Sequence, residues 1–342
     1  MHLDLSIYGE LSEKILAFNF DKEIKLKNQS INYFYVLVGG ERRENKLIKL
    51  PDDNFLNEDG AGQQTQHQKM FGKVSVNEAY MQLGLKLKNN LNFDSSLRYS
   101  NYSFGKNAFT YDFGFQYPIS EIFSIKASHQ KSIRIAVIQE LFEPEETELV
   151  YASDPCAGPS PELNSSQCLL TGLPLNLYQQ VDDTSAQLYS KSSGNLNLDP
   201  EESKSNSISL IMENQFSKLV IDYYQINMED QISQLNIASV MNNCIESQSV
   251  SSYWCRLINR ANDGTLSTNG SFVSTPLFNL SEFDTSGIDL KFTYLLDTTF
   301  GQLTLNNFIS ILLNKEFKQD ISSDRINCKS LYSCLLYTSP SP

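Results

Sequence analysis

Apolar and polar side chains alternate one for one over stretches of about ten residues in several parts of this chain. In 107–117 the apolar side of the alternation consists of five aromatic residues, Phe109, Tyr111, Phe113, Phe115 and Tyr117. A period of two places every second side chain on one face of a β-strand. Strands of soluble proteins average about five to six residues, whereas about ten tilted residues cross a bilayer. The pattern predicts long two-faced strands, with a soluble sandwich or solenoid as the alternative.

Similar alternations in 79–88 and 287–296 predict which side chains share a face. We expect one set to face lipid: Leu83, Phe113 and Leu290. We expect the neighbouring set to face the interior of a barrel: Gln82, Asp112 and Asp289.

Short and long connections alternate between the predicted strands. We place these strands at 8–19, 31–42, 76–88, 91–101, 107–117, 122–132, 205–215, 217–229, 285–296 and 301–314. Long connections fall at 43–75, 132–204 and 231–284, while the connection at 20–30 fits the alternation least well. Transmembrane barrels carry tight turns on one rim and long extracellular loops on the other, and such loops are uncommon in compact soluble domains. The sequence therefore predicts an all-β fold, part of a transmembrane antiparallel β-barrel.

Composition excludes some classes of protein. The chain has 342 residues, and it contains no run of eighteen apolar residues that would predict a transmembrane helix. A formal net charge of −13 argues against a nucleic-acid partner, which needs a basic surface. Many acidic residues fall in the predicted loops. We interpret them as solvated loop surface, with repulsion of anions or divalent-cation bridging at a cell surface as the alternative.

Four of the six cysteines form two pairs that are close in sequence. Cys156 and Cys168 lie in one predicted long loop, and Cys244 and Cys255 lie in another. This spacing predicts two disulfides, each within its own loop, in an oxidising compartment. A zinc site would call for CxxC-type spacing and nearby histidines, which the sequence does not offer. The sequence assigns no partner to Cys328.

Catalytic motifs are not visible: the sequence has no Gly-rich phosphate loop, no HExxH and no GxSxG. We therefore assign no catalytic, cofactor-binding or metal-binding residues. The Asp222–Tyr223–Tyr224 run is interpreted as a polar interior residue beside interfacial aromatics rather than as an acid or a nucleophile. Arg98 and Arg134 lie near predicted strand ends. They could bind anionic ligand groups, but pairing with interior carboxylates is the favoured interpretation.

Several motifs carry a resemblance to a known family. The run 195–233, NLNLDPEESKSNSISLIMENQFSKLVIDYYQINMEDQIS, resembles two paired barrel strands of TonB-dependent outer-membrane receptors. Other matching motifs are ERRE at 41–44, VNEAY at 76–80, LRYSNYS at 97–103, ASHQKSIRIAVIQELF at 127–142 and LSEFDTSGIDL at 280–290. Their order and spacing are more specific than any one of them, and the resemblance covers most of 5–316. The chain departs from the family at 133–136, where Ile-Arg-Ile-Ala replaces the usual Phe-Arg-Ala-Pro.

The resemblance implies a function in transport. It implies about ten of the family's twenty-two barrel strands, without the plug domain or the segment that contacts TonB. The whole protein would be a monomeric, multi-pass receptor in the Gram-negative cell outer membrane. It would import a scarce solute (a siderophore, an oligosaccharide or a peptide) with energy supplied through TonB, and it would not be an enzyme. Its expected partners are outer-membrane lipid, the TonB coupling protein and a small solute. The alternatives are a passive porin and a soluble or enzymatic β protein.

We divide the chain into two parts. Residues 1–333 are predicted to be a partial TonB-dependent receptor β-barrel. Residues 334–342, CLLYTSPSP, read as the translation of a sequencing adapter, with a natural Ser/Pro-rich tail as the alternative. We expect the natural protein to continue beyond this piece. A half-barrel has two open edges that leave backbone groups unpaired in lipid, so we expect it not to fold stably alone.

Overall fold

The computed structural model describes residues 6–25, 31–57, 59, 67–87, 90–182, 187–268, 270–318 and 324–329. Its strands, numbered along the chain, are β1 (Ile7–Lys25), β2 (Ile31–Pro51), β3 (Met70–Leu87), β4 (Asn92–Tyr102), β5 (Asn107–Pro118), β6 (Phe123–Arg134), β7 (Glu146–Tyr151), β8 (Gln187–Ser192), β9 (Glu201–Glu213), β10 (Ser217–Gln234), β11 (Ile258–Asn259), β12 (Phe272–Ser274), β13 (Leu277–Thr298), β14 (Gly301–Lys318) and β15 (Ile326–Asn327). The short α-helices are α1 (Asp53–Leu56), α2 (Ile138–Phe142), α3 (Ser165–Leu170) and α4 (Ile237–Glu246). Within the described part, no helix has the length and apolar character needed to cross a membrane.

Most of the chain forms one antiparallel sheet. Within the described ranges this sheet has eleven strands, in the order β1-β2-β3-β4-β5-β6-β9-β10-β13-β14-β15. Each predicted strand is present, which confirms an all-β partial barrel. Several strands are longer than predicted. For example, β2 continues to Pro51 because it pairs along its length with both β1 and β3, and Lys73 of β3 contacts Glu44 of β2 at 3.0 Å.

The register gives the sheet one apolar face and one polar face. Residues directly opposite one another in an antiparallel pair lie on the same face. One row across neighbouring strands is apolar: Tyr117, Ile125, Leu210, Ile221, Leu290 and Ile309. The adjacent row is polar: Gln116, Lys126, Ser209, Asp222, Asp289 and Ser310. Leu290 therefore lies in the apolar row and Asp289 in the polar row, as the alternation predicts, while their contact with lipid and with the barrel interior stays a prediction.

The same holds further along the sheet. Leu83 and Phe113 both lie opposite Ser95, while Gln82 and Asp112 both lie opposite Ser96. Many apolar side chains of the first face are exposed, including Phe113 at 40% and Ile309 at 50%. A continuous exposed apolar surface of this kind marks a membrane or protein contact in a folded protein. It fits the lipid-facing side of a barrel wall.

Tight turns join the strands on one rim. Asn214 closes the turn between β9 and β10, where its side-chain oxygen accepts from the backbone N–H groups of Phe216 and Ser217 at 2.9 Å each. Gly301 ends the turn between β13 and β14 with φ of 132°, a conformation that favours glycine. The long connections from β6 to β9 and from β10 to β13 leave from the opposite rim.

These two long connections are folded, although the sequence predicted only loops there. They contribute two strands each to a second sheet in the order β11-β12-β8-β7. Its central pair, β8 and β12, is parallel and joins one connection to the other. Strands of two to six residues are too short to give a recognisable period of two, which explains the error. We call the described residues of 135–200 and 235–276 the cap.

We call the eleven-stranded sheet the wall. The alternation of tight turns and long connections predicts how the wall is oriented in the membrane. In the complete receptor, a cysteine introduced at Asn176 in the cap should react with a membrane-impermeant maleimide on intact cells. A cysteine at Ser120, in the turn between β5 and β6, should react only after the outer membrane is permeabilised. Labelling at Ser120 and protection at Asn176 in intact cells would require the opposite orientation.

Candidate functional site

Charged residues cluster on the polar face where the strands approach the cap. The Glu78 carboxylate is buried and accepts from Ser100 Oγ at 2.5 Å and from Arg98 Nη1 at 3.3 Å. Arg43 Nη2 lies 4.0 Å from the same carboxylate, and the Arg98 guanidinium stacks 4.9 Å above the centre of the Tyr80 ring. An open hollow of about 560 Å³ is bordered by Arg43, Glu78, Arg98 and Ser100. The wall therefore presents a structured, internally paired set of charges to the interior.

Arg134 at the end of β6 is paired with two carboxylates. Its Nε and Nη2 donate to the two oxygens of Glu201 at 2.7 and 2.5 Å, and its Nη1 donates to Glu140 at 3.0 Å. Glu201 also accepts from the backbone N–H of Ile232 at 2.8 Å. Both arginines singled out in the sequence, Arg98 and Arg134, are thus held by carboxylates in this structure. This arrangement fits the pairing interpretation of both arginines.

The cap is anchored to the wall at α2. Glu140 accepts from the backbone N–H of Val137, which ties the start of α2 to Arg134. On the other side, α2 packs on β3 at Gly72, where a Cβ atom would lie 2.1 Å from Ile138 Cγ2. Because glycine alone leaves this space, the close approach of α2 to β3 depends on Gly72. Lys49 adds an ion pair with Glu143 at 2.7 Å.

The cap has its own hydrophobic core, built from both long connections. Leu188 comes from the first connection, and Leu280 is contributed by β13. The other buried members come from the second connection: Leu235, Ile237, Val240, Met241, Cys244, Cys255, Ile258, Leu266 and Val273. A smaller core lies within the first connection, formed by Cys156, Cys168, Leu173 and Val181. Because apolar burial is the main stabilising contribution to folding, the cap is a packed unit.

The structure places the four paired cysteines in two disulfides. The Cys156 and Cys168 sulfurs are 2.11 Å apart, and those of Cys244 and Cys255 are 2.04 Å apart. Each bond closes a short loop, since the paired residues are separated by 12 and 11 positions. All four side chains are buried in the two cores of the cap.

We predict these pairings for the protein isolated from its native compartment. Peptide mapping without reduction should recover Cys156 joined to Cys168 and Cys244 joined to Cys255. Replacing Cys244 and Cys255 by serine should lower the stability of the cap by about 2–4 kcal/mol, because the open chain regains conformational freedom. A peptide in which Cys156 is joined to Cys244 would contradict the pairing.

A buried ion pair joins the two connections of the cap. Arg260 Nη1 and Nη2 donate to Asp154 at 2.5 and 3.0 Å, and both side chains are only 3% exposed. The remaining guanidinium contacts are also made, with Thr171 Oγ1 at 2.9 Å and the Gly264 carbonyl at 2.9 Å. Because Asp154 and Thr171 belong to the first connection and Arg260 to the second, these contacts fix the position of one connection against the other.

The sequence as a whole matches a known family model. The model described as TonB dependent receptor-like, beta-barrel matches residues 9–325. The chain belongs to this TonB-dependent receptor β-barrel family. A comparison with curated proteins gives no match to the sequence of this chain.

Solved structures share its fold. One is a ferric enterobactin receptor mutant from Pseudomonas aeruginosa (PfeA) in complex with enterobactin, which superposes on this chain with a TM-score of 0.57 and 12% sequence identity. The match covers 90% of this chain and 39% of that one. The siderophore receptor PirA from Acinetobacter baumannii gives a TM-score of 0.55 and 14% identity, covering 93% and 42%. The chain therefore spans about two fifths of these receptors. At such identities the likeness concerns the fold alone.

The Asp222–Tyr223–Tyr224 run lies in β10. Asp222 is on the polar face, 3.7 Å from Lys291 Nζ, and Tyr223 is on the exposed apolar face. Tyr224 is on the polar face, where it lies against Gly287. This placement fits structural positions in the wall. Within the described residues, no group of three or more His, Cys, Asp or Glu side chains is arranged to hold a metal ion.

Reasoning from the sequence missed the residues that hold the two connections of the cap together. Asp154 and Arg260 are 106 positions apart, so no local pattern joins them. The available signal was composition: apolar residues in 235–241 and 254–258 are too many for a solvated loop. That signal predicts a packed region but not its partners.

Proposed function

We propose that the chain is part of an outer-membrane receptor that imports a scarce solute with energy supplied through TonB. The observation that carries this proposal is the two-faced wall, apolar and exposed on one side and charged and paired on the other. A wall of this kind separates lipid from a polar interior. The cap at the long-connection rim supports a role in capturing solute from outside.

We propose no catalytic role. Two acidic side chains of the polar face, Glu78 and Glu201, accept hydrogen bonds from arginine, serine or backbone groups. These contacts hold both carboxylates in place against neighbouring side chains and backbone. The proposed partners are outer-membrane lipid, TonB and the solute, with the whole protein a monomer that does not bind nucleic acid.

The test is uptake by cells that express the complete receptor from the source genome. Radiolabelled ferric siderophores, oligosaccharides and peptides are supplied to strains with and without the tonB gene, and a porin-permeable sugar serves as the control for passive entry. We expect one class of solute to accumulate only when TonB is present. Accumulation that is unchanged in the strain lacking TonB would support a passive porin instead.

A further inference from the structure

A second hollow lies where the cap meets the wall. It encloses about 570 Å³ and is open to solvent on the long-connection rim. Its lining comes from the segment that leads into β9, from the turn after α4 and from the start of β13. The side chains that matter most are Asn195, Asn197, Asp199, Tyr253, Phe278 and Asn279.

One side of this hollow is an aromatic surface. Tyr253 packs edge-on against Trp254 and Phe278, with ring centroids 5.4 and 5.9 Å apart and interplanar angles of 77° and 88°. Trp254 and Phe278 also contact each other at 6.0 Å. Tyr253 nevertheless remains 46% exposed. The packing therefore fixes a flat ring in place while leaving part of it available to a ligand.

The other side is polar and rigid. Asn279 donates to the backbone carbonyls of Asp199 and Asp230 at 2.8 and 2.7 Å and accepts from the Asp199 N–H at 2.8 Å. Asn195 donates to the Leu277 carbonyl at 2.9 Å and accepts from the Asn197 N–H at 2.9 Å. These bonds fix the backbone from which the exposed side chain of Asn197 projects. An amide side chain supplies both donors and acceptors.

The hollow carries little net charge. Asp199 is the one acidic residue among the described lining residues, and it contacts Lys106 Nζ at 2.6 Å. None of those lining residues is Arg or Lys. Anionic ligands are usually held by arginine or lysine, so this lining disfavours them. Burial raises the pKa of Tyr253, which keeps its hydroxyl protonated and able to donate.

We propose that this hollow binds a neutral carbohydrate, with a sugar ring stacked on Tyr253 and its hydroxyls bonded to Asn197 and Asp199. The apolar C–H face of a pyranose matches an aromatic ring, while its hydroxyls need the mixture of donors and acceptors found on the opposite side. The inference rests on the proposed function, because it names the chemical class of solute that the receptor captures at its outer rim.

The test uses the complete receptor in a zwitterionic detergent, since glycoside detergents would compete for the site. Maltotetraose, cellotetraose and chitotetraose are titrated by saturation-transfer NMR and calorimetry. We expect at least one of them to bind, and we expect Tyr253→Ala to weaken that binding about tenfold or more. Tyr253→Phe should retain most of the affinity. Tyr151→Ala, at an 88% exposed tyrosine outside the lining, is the matched control and should leave it unchanged.

The outcomes separate this inference from the proposed function. Binding of none of the three oligosaccharides, or equal losses in the Tyr253→Ala and Tyr151→Ala variants, overturns the carbohydrate site. If TonB-dependent uptake of a ferric siderophore accompanies that result, the transport proposal stands without the site. If an oligosaccharide binds at Tyr253 but its uptake does not require TonB, the site stands and the energised mechanism fails.

Discussion

Replacing Arg260 with methionine should destabilise the cap by about 3–5 kcal/mol, because it leaves the Asp154 carboxylate buried without its partner. The pair is almost wholly shielded from water, at 3% exposure on each side, so solvent cannot take over the lost contacts. The change also removes the donors to Thr171 and Gly264. We therefore expect the two connections of the cap to separate while the strands of the wall remain paired.

Hydrogen exchange on the complete receptor measures this effect at β8. The backbone N–H of Tyr189 in β8 donates to the Leu266 carbonyl, a bond between the two connections. Its exchange should become about a hundredfold faster or more in the Arg260→Met variant. Lys218→Met is the matched control, since Lys218 and Glu213 form an exposed pair at 2.8 Å whose loss should cost about 0–1 kcal/mol. Equal exchange in both variants would contradict the role of the buried pair.

A double variant distinguishes the cost of an unpaired buried charge from the cost of lost side-chain packing. Replacing Asp154 with leucine in the Arg260→Met background removes the second charge as well. Because the cost arises mainly from an unpaired buried charge, the double variant should recover much of the stability lost in the single variant. A further loss of similar size would show that the packing around the pair matters more than its charge.

Replacing Leu290 with arginine should cost the receptor about 2–4 kcal/mol of folding free energy in a bilayer. Leu290 lies on the apolar face between Ile221 and Ile309, the face that we propose meets lipid. Asp289→Arg is the matched control one position away. Asp289 accepts from Ser310 at 2.7 Å on the polar face, where an added charge meets water or other polar groups.

Urea titration of the complete receptor in lipid vesicles gives both free energies. We expect a large shift of the folding midpoint for Leu290→Arg and a smaller shift for Asp289→Arg. If Asp289→Arg prevents folding while Leu290→Arg has no effect, the register of β13 is reversed with respect to the membrane.

The wall could be predicted from the sequence because its signal is local and repeated. A strand with lipid on one side and polar groups on the other must alternate with a period of two, as 107–117 does. The short turns at 214–217 and 298–301 set the pairing of their strands directly. The disulfide pairs were also local, since each joins residues 12 or 11 positions apart.

The cap could not be predicted because its contacts are distant and its strands are short. The parallel pairing of Val273 with Ser190 joins segments from different connections, and the Asp154–Arg260 pair spans 106 positions. The tyrosine of the proposed carbohydrate site, Tyr253, directly follows a serine-rich stretch at 247–252 that resembles an ordinary loop. Only the folded arrangement brings it beside Phe278 and Asn197.

The wall itself is tested most directly by a spin-label scan of β5 in the complete receptor reconstituted into lipid. Nitroxides are placed singly at 109–116, and their collision rates with oxygen and with a water-soluble nickel complex are compared by electron paramagnetic resonance. A lipid-facing wall predicts that oxygen collisions rise at Phe109, Tyr111, Phe113 and Phe115 and fall at the residues between them. Uniform collision rates along the strand, or preferential collision with the nickel complex at Phe113, would contradict a membrane-spanning wall.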